Sequence, residues 1–122
     1  MTNKFRGELK VSLNNTEYKT KITLDGIMRI ESETNKPVIK LANELMSMNL
    51  SMTEICTILS IAIRGGGNNM TVKQIGDIAF DAGITNCMKV CGEILTNTIT
   101  GGQKNNEEDS EKNVEAESNQ TD

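Results

Sequence analysis

The sequence predicts an α+β fold that is mostly helical: an N-terminal antiparallel β-hairpin, about five short helices and a disordered acidic C-terminal tail. Three observations carry that prediction. Apolar and polar residues alternate on both sides of Asn14-Asn15. Apolar residues then recur at helical spacing, twice behind a capping box. Beyond Gly102 they all but stop.

The hairpin comes first. Phe5, Gly7, Leu9, Val11 and Leu13 alternate with Arg6, Glu8, Lys10 and Ser12, and Tyr18, Thr20, Ile22 and Leu24 alternate with Lys19, Lys21 and Thr23. A period of two across Asn-Asn reads as two strands and a tight turn, because asparagine tolerates the positive φ the turn requires. A lone hairpin is marginal in water, so the helices must cover its apolar face.

Asp25 is the expected N-cap of a first helix reaching about Thr34, with Ile27, Met28, Ile30 and Glu31 setting its faces. Asn35 and Pro37 break the chain, and proline suits the first turn of a second helix. That helix carries an inward stripe of Val38, Leu41, Ala42, Leu45 and Met46. Ser51 and Glu54 form a capping box ahead of the longest apolar segment. Ile55, Ile58, Leu59, Ala62 and Ile63 share one stripe there, and Met52, Cys56 and Ile61 widen it. A helix apolar over most of its circumference belongs at the centre of the fold. Gly65-Gly66-Gly67-Asn68-Asn69 ends it, with residues that accept a left-handed backbone.

Thr71 and Gln74 repeat the capping box before Val72, Ile75, Ile78, Ala79 and Ala82, and Gly83 caps that helix. Thr85 or Asn86 opens the last helix, which buries Cys87, Met88, Cys91, Ile94 and Leu95. Thr96 to Thr100 and Gly101-Gly102 close the fold. The expected organisation is one hairpin-plus-helical domain over residues 1–100 and a tail over residues 101–122. The tail holds seven acids against two lysines and only Val114 and Ala116 as apolar residues. It cannot bury enough surface to offset its ordering entropy.

Composition narrows the function classes. The 122 residues suit one domain. Aromatics make up only 2%, so Ile, Leu, Val and seven methionines must build the core and any adaptable contact surface. The net charge of −4 leaves residues 1–100 at +1 once the tail is set aside, a poor footprint for nucleic acid. The apolar runs are too short to cross a bilayer, and MTNKFRGELK has no apolar core of a secretory signal. The three cysteines then predict free thiols in a reducing cytoplasm.

Catalytic equipment is sparse. The chain has no histidine, which removes Ser-His-Asp and Cys-His arrangements. Asp77 and Asp81 share a helix face but read as a solvated one. Cys87 and Cys91 sit at i and i+4, yet with Cys56 they give only three thiols, one short of a structural zinc site. They read as small buried residues. The glycine run lacks the preceding strand and following lysine of a phosphate loop, and reads as a flexible connection. No enzyme activity, cofactor or metal is expected.

The order of short motifs is more specific than any one of them. Phe5-Arg6-Gly7-Glu8 opens the hairpin, and Ile30-Glu31-Ser32-Glu33-Thr34-Asn35-Lys36 closes the first helix. Leu50-Ser51 starts the central helix, Arg64-Gly65-Gly66 ends it, and Ile75-Gly76-Asp77 with Gly83 mark the fourth. Over about residues 4–100 this resembles the small tail protein of gene transfer agents and related tailed phages, encoded between the major tail protein and the tape measure protein. Family members often carry glycine where this chain has Asn35, and the long acidic tail departs from the family.

The resemblance implies a non-enzymatic tail assembly chaperone. Such a protein covers the apolar, helical tape measure protein until tail tube subunits displace it. Its implied partners are the tape measure protein and tube subunits, with self-association a further one, and its implied site is the cytoplasm of the producing bacterium, or the particle tail if it is structural. An adaptable apolar surface would serve this role. Met46 and Met48, near the end of the second helix, and Met52, at the start of the third, are the expected partner-binding residues. The alternatives are core filler for these methionines, and for the protein a structural minor tail or tube component, or a small regulatory helical binding protein.

Overall fold

The computed structural model describes residues 8–101. The expected strand start at Phe5 and the disordered tail beyond Gly101 lie outside the described residues. Strands β1 (Glu8–Leu13) and β2 (Thr16–Lys21) form a two-stranded antiparallel sheet, followed by α1 (Leu24–Thr34), α2 (Val38–Met46), α3 (Met52–Gly65), α4 (Val72–Ala82) and α5 (Ile84–Ile99). The register pairs Val11 with Tyr18 and Leu13 with Thr16 around a two-residue turn. Asn14 and Asn15 both take positive φ, 56° and 67°, as a type I′ turn requires. Val11, Leu13 and Thr20 are buried on one face, and Thr20 Oγ1 donates to the Leu9 carbonyl at 2.7 Å.

Helix α3 is the hub. It touches β2, α1, α4 and α5, and Ile55, Ile58, Leu59, Ala62 and Ile63 are fully buried. Each large aliphatic side chain taken out of water there contributes about 1.5–3 kcal/mol relative to exposure. Its capping box is complete: Ser51 Oγ accepts from the Glu54 N–H at 3.1 Å, and Glu54 Oε1 accepts from the Ser51 N–H at 3.0 Å. The same box forms at Thr71 and Gln74 of α4.

The glycine run does more than end a helix. Gly65 is still helical and Gly66 keeps φ −81°; only Gly67, at +99°, uses the left-handed region. A Cβ on Gly65 would collide with the Lys21 carbonyl oxygen, and one on Gly66 with the Lys19 carbonyl oxygen. These two glycines let the backbone of β2 cross directly over the end of α3. The Asn68 amide locks the crossing by donating to the carbonyls of Lys19 and Ile63, each at 2.8 Å. The segment expected to be a flexible connection is therefore the clasp between hairpin and hub.

Other expectations need correction. Leu24 opens α1, 72% exposed, and does not extend β2, because the chain leaves the sheet at Ile22 to bury that side chain. The N-cap of α1 is Thr23, whose hydroxyl accepts from the Gly26 N–H at 3.1 Å, and Asp25 lies inside the first turn. Pro37 is the N-cap of α2, with no side-chain cap of its own. Glu31 supplies that cap from α1, accepting from the Val38 N–H at 2.9 Å. Met46 and Val72 belong to no inward stripe, at 83% and 53% exposure. Helix α5 begins directly after Gly83 and runs on through the threonines to Ile99, with Leu95 and Asn97 buried there and the Thr98 hydroxyl donating to the Ile94 carbonyl at 2.8 Å.

A polar clasp joins three elements near the start of α3. Lys36 Nζ stands 2.9 Å from Glu44 Oε1 of α2 and 2.6 Å from Glu54 Oε2 of α3. Burial pushes the Glu54 carboxyl up. Hydrogen bonds from Lys36 and the Ser51 backbone, with the lysine charge, outweigh burial and hold it below its usual range. Hydrogen bonds to Glu54 and then Glu44 raise Lys36 above its ordinary value.

Two predictions follow from these contacts. Gly66→Ala should destabilise the fold by about 1–3 kcal/mol, the usual range for an overpacked site. Gly76→Ala, where an added Cβ meets open space on α4, should stabilise it by about 0.5–1 kcal/mol. Urea midpoints of the two variants, moving in opposite directions, check this. For the clasp, a carboxyl lowered in the folded state contributes stability that is complete above its unfolded value and is lost as pH falls through its folded value. A lysine raised in the folded state contributes below its ordinary value and loses that only at more alkaline pH. Acid titrations followed by circular dichroism should therefore show wild type losing stability below about pH 4.5. Lys36→Gln should lose less over that window, having started lower at neutral pH.

Candidate partner-binding groove

Helices α2 and α5 pack side by side at the edge of the core. Their buried residues, Leu41 and Leu45 on one and Cys91 and Leu95 on the other, face inward. Outside that line the two helices leave a groove of about 390 Å³ between them. Ala42, Leu45, Met46 and Met48 form one wall. Met88, Gly92 and Leu95 form the other, with Thr85, Lys89 and Thr96 as polar groups. An added Cβ on Gly92 would meet nothing within 4 Å, so the missing side chain gives the groove depth.

The end of α2 aims the two methionines. The Met48 N–H donates to the Leu45 carbonyl at 2.9 Å and the Asn49 N–H to the Glu44 carbonyl at 2.8 Å. That pair of bonds is a Schellman closure, whose C′ position takes a left-handed backbone and is usually glycine. Here it is Met48, with φ 55° and a side chain 52% exposed. A left-handed conformation costs an L side chain about 1–2 kcal/mol. Leu50, only 5% exposed, draws the chain back into the core two residues later and holds the turn in place.

Of the three expected residues, the structure brings Met46 and Met48 together. Met52 lies elsewhere, half-buried against the core and lining a separate cleft between α1 and α3. Met88 and Gly92 were not legible as site residues. Helical spacing assigns Met88 to a core stripe, and no local pattern reports that α5 lies beside α2.

The other candidate chemistries have structural occupations. Burial pushes all three thiols up, Cys91 most. Cys87 Sγ donates to the Ala79 carbonyl at 3.2 Å, and Cys91 Sγ to that of Ile55 at 3.8 Å. Among the described residues no three His, Cys, Asp or Glu side chains are grouped to hold a metal ion, and no helix is long and apolar enough to cross a membrane. Asp77 pairs with Lys73 at 3.2 Å on an exposed face. Gly65 and Gly66 lie against β2, which leaves no open cradle for phosphate.

The described residues that carry the family resemblance are mostly joints. Glu31 caps α2, Asn35 takes the left-handed exit of α1 at φ 58°, and Lys36 ties α2 to α3. Ser51 caps α3, Gly65-Gly66 admit β2, and Gly83 turns α4 into α5 at φ 95°.

Comparison with curated proteins and with solved structures gives no match. A protein-family model described as phage tail tube protein, GTA-gp10, matches residues 6–101, which takes in both strands, all five helices and both walls of the groove. With that match over most of its length, the chain belongs to the GTA-gp10 family of phage tail proteins.

Proposed function

We propose that this protein is a non-enzymatic tail assembly chaperone that holds an amphipathic helix of the tape measure protein in the α2–α5 groove and leaves before the tail is complete. The observation that carries this reading is the exposed methionine pair at the groove mouth, Met46 at 83% and Met48 at 52%. A groove between two helices lined by Leu, Ala and Met suits the apolar stripe of a third helix. Flexible thioethers suit a partner whose stripe varies along its length. A strained residue is retained where its side chain serves something other than stability, and Met48 fits that pattern. The protein would act inside the producing cell.

A second reading has support from the family description, which names a tail tube protein. In that case the groove would join copies of this chain, or this chain and other tail subunits, in the finished particle. The two-stranded sheet speaks against it, since a tube ring needs a large sheet and this one is a single hairpin held on its own helices.

The test uses synthetic peptides covering the apolar helical stretches of the tape measure protein, titrated against the full chain by fluorescence anisotropy. Met48→Ala should weaken binding about tenfold, the size expected of an anchor residue, with the fold intact. Met48→Gly should weaken it equally while raising unfolding free energy by up to about 1 kcal/mol, because glycine relieves the left-handed strain. Gly92→Leu should fill the groove and abolish binding without unfolding the protein. Unchanged binding in all three variants would remove the groove from the account.

A further inference from the structure

Helix α4 buries only Ile75 and Ala79. Its exposed side carries two adjacent rows, each at i, i+4 and i+8. The first row is Val72, Gly76 and Phe80, and the second is Lys73, Asp77 and Asp81. Phe80 is 73% exposed and Val72 53%, so one of the chain's two phenylalanines stands in water beside another apolar residue. Gly76, between them, has nothing within 4 Å of an added Cβ. Glycine weakens a helix interior relative to alanine, and no neighbour among the described residues needs the space. A missing side chain midway along an apolar row is where a second helix can come close, since the side chains at the contact set the distance between helix axes.

We propose that this face of α4 pairs two copies of the chain, antiparallel, about a two-fold axis at Gly76. Each Phe80 then lies against Val72 of the other copy, and the two Gly76 backbones meet at the crossing. A parallel pairing would set Phe80 against Phe80 and leave a gap at Gly76. The charges favour a second copy as the occupant. An antiparallel pair sets like flanks side by side, so the Lys73 row of one copy meets the same row of the other. Position 73 falls opposite the space between positions 77 and 81. Lys73 and Asp77 stand 3.2 Å apart within the helix, whereas Asp81 has no ion pair or hydrogen bond among the described residues. The two-fold brings each Asp81 to Lys73 of the other copy, so the contact is made twice. One face of an 11-residue helix is a small interface, so the dimer is weak and reversible. Helix α4 does not touch α2 and lends no residue to the methionine groove, so the pairing leaves both grooves free. Under the chaperone reading, such a dimer grips one long helical partner at two points. That consequence rests on the chaperone reading; the dimer itself does not.

Sedimentation velocity of the full-length chain, from about 10 μM to about 1 mM to cover weak association, tests this. The average mass should climb from 13.4 kDa toward twice that value. Phe80→Glu should hold the chain at its monomer mass with an unchanged circular dichroism spectrum, because the side chain is mostly outside the core. Gly76→Leu, whose side chain has open room in the monomer, should do the same by keeping the helices apart. Lys73→Asp and Asp81→Lys, each alone, should weaken association about fivefold, the worth of two exposed ion pairs. An equimolar mixture of those two variants should recover most of it, since each copy then offers the charge the other lacks. A chain that stays monomeric at every concentration overturns the proposal. So does an oligomer that Phe80→Glu leaves intact. A mixture that associates no better than its components overturns the antiparallel pairing. The peptide titrations of the groove are run at concentrations where the chain is monomeric, so the chaperone reading stands or falls separately.

Discussion

Without the burial of α3 on nearly every side, neither the hairpin nor α1, α4 and α5 would have a surface to fold against. Ile55, Ile58, Leu59 and Ile63 have no exposed area, and β2, α1, α4 and α5 each cover part of the helix. Burial is non-directional, so it does not by itself say where each element sits. That is decided by a few polar and steric locks at the two ends of α3. At its start, Lys36 bridges Glu44 and Glu54 and ties α2 to the hub. At its end, two residues without side chains bring β2 into backbone contact, and Asn68 fastens it.

The candidate groove follows from what this arrangement leaves uncovered. Helix α2 buries only Val38, Leu41 and Leu45, and it leans on α5 instead of α3. Two helices meeting at the rim of a core built elsewhere leave a furrow on their outer side. The chain lines it with methionines and a glycine, and keeps a bulky residue at a left-handed turn where glycine would be more stable. A rigid hub with a soft, exposed rim is what the proposed binding and release would require.

Much of the fold was legible in the sequence, and the reasons are local. The Asn14-Asn15 turn, the two capping boxes and the α3 stripe each state their structure within a few residues. Some misreadings are local, as at the Thr23 cap, but the larger ones turned on partners more distant in sequence. Glu31 caps a helix seven residues away, so Pro37 needs no cap of its own. Gly65 and Gly66 answer to Lys21 and Lys19, a strand far upstream, and read locally as mere punctuation. The site was half legible for the same reason. Exposed Met46 and Met48 lie next to a helix end that the sequence marks, whereas Met88 and Gly92 join them only through the docking of α5 on α2. Met52 lines a different cleft from Met46 and Met48, because nearness in sequence to Met48 does not put the two on one face.

The central claim is that this family member acts during tail assembly and then departs. Quantitative mass spectrometry of purified particles beside the lysate of the producing cells tests it most directly. The account predicts that the protein is abundant in the lysate and absent from finished particles. A fixed stoichiometry with the tail subunits in those particles would contradict it and make the protein a structural part of the tail.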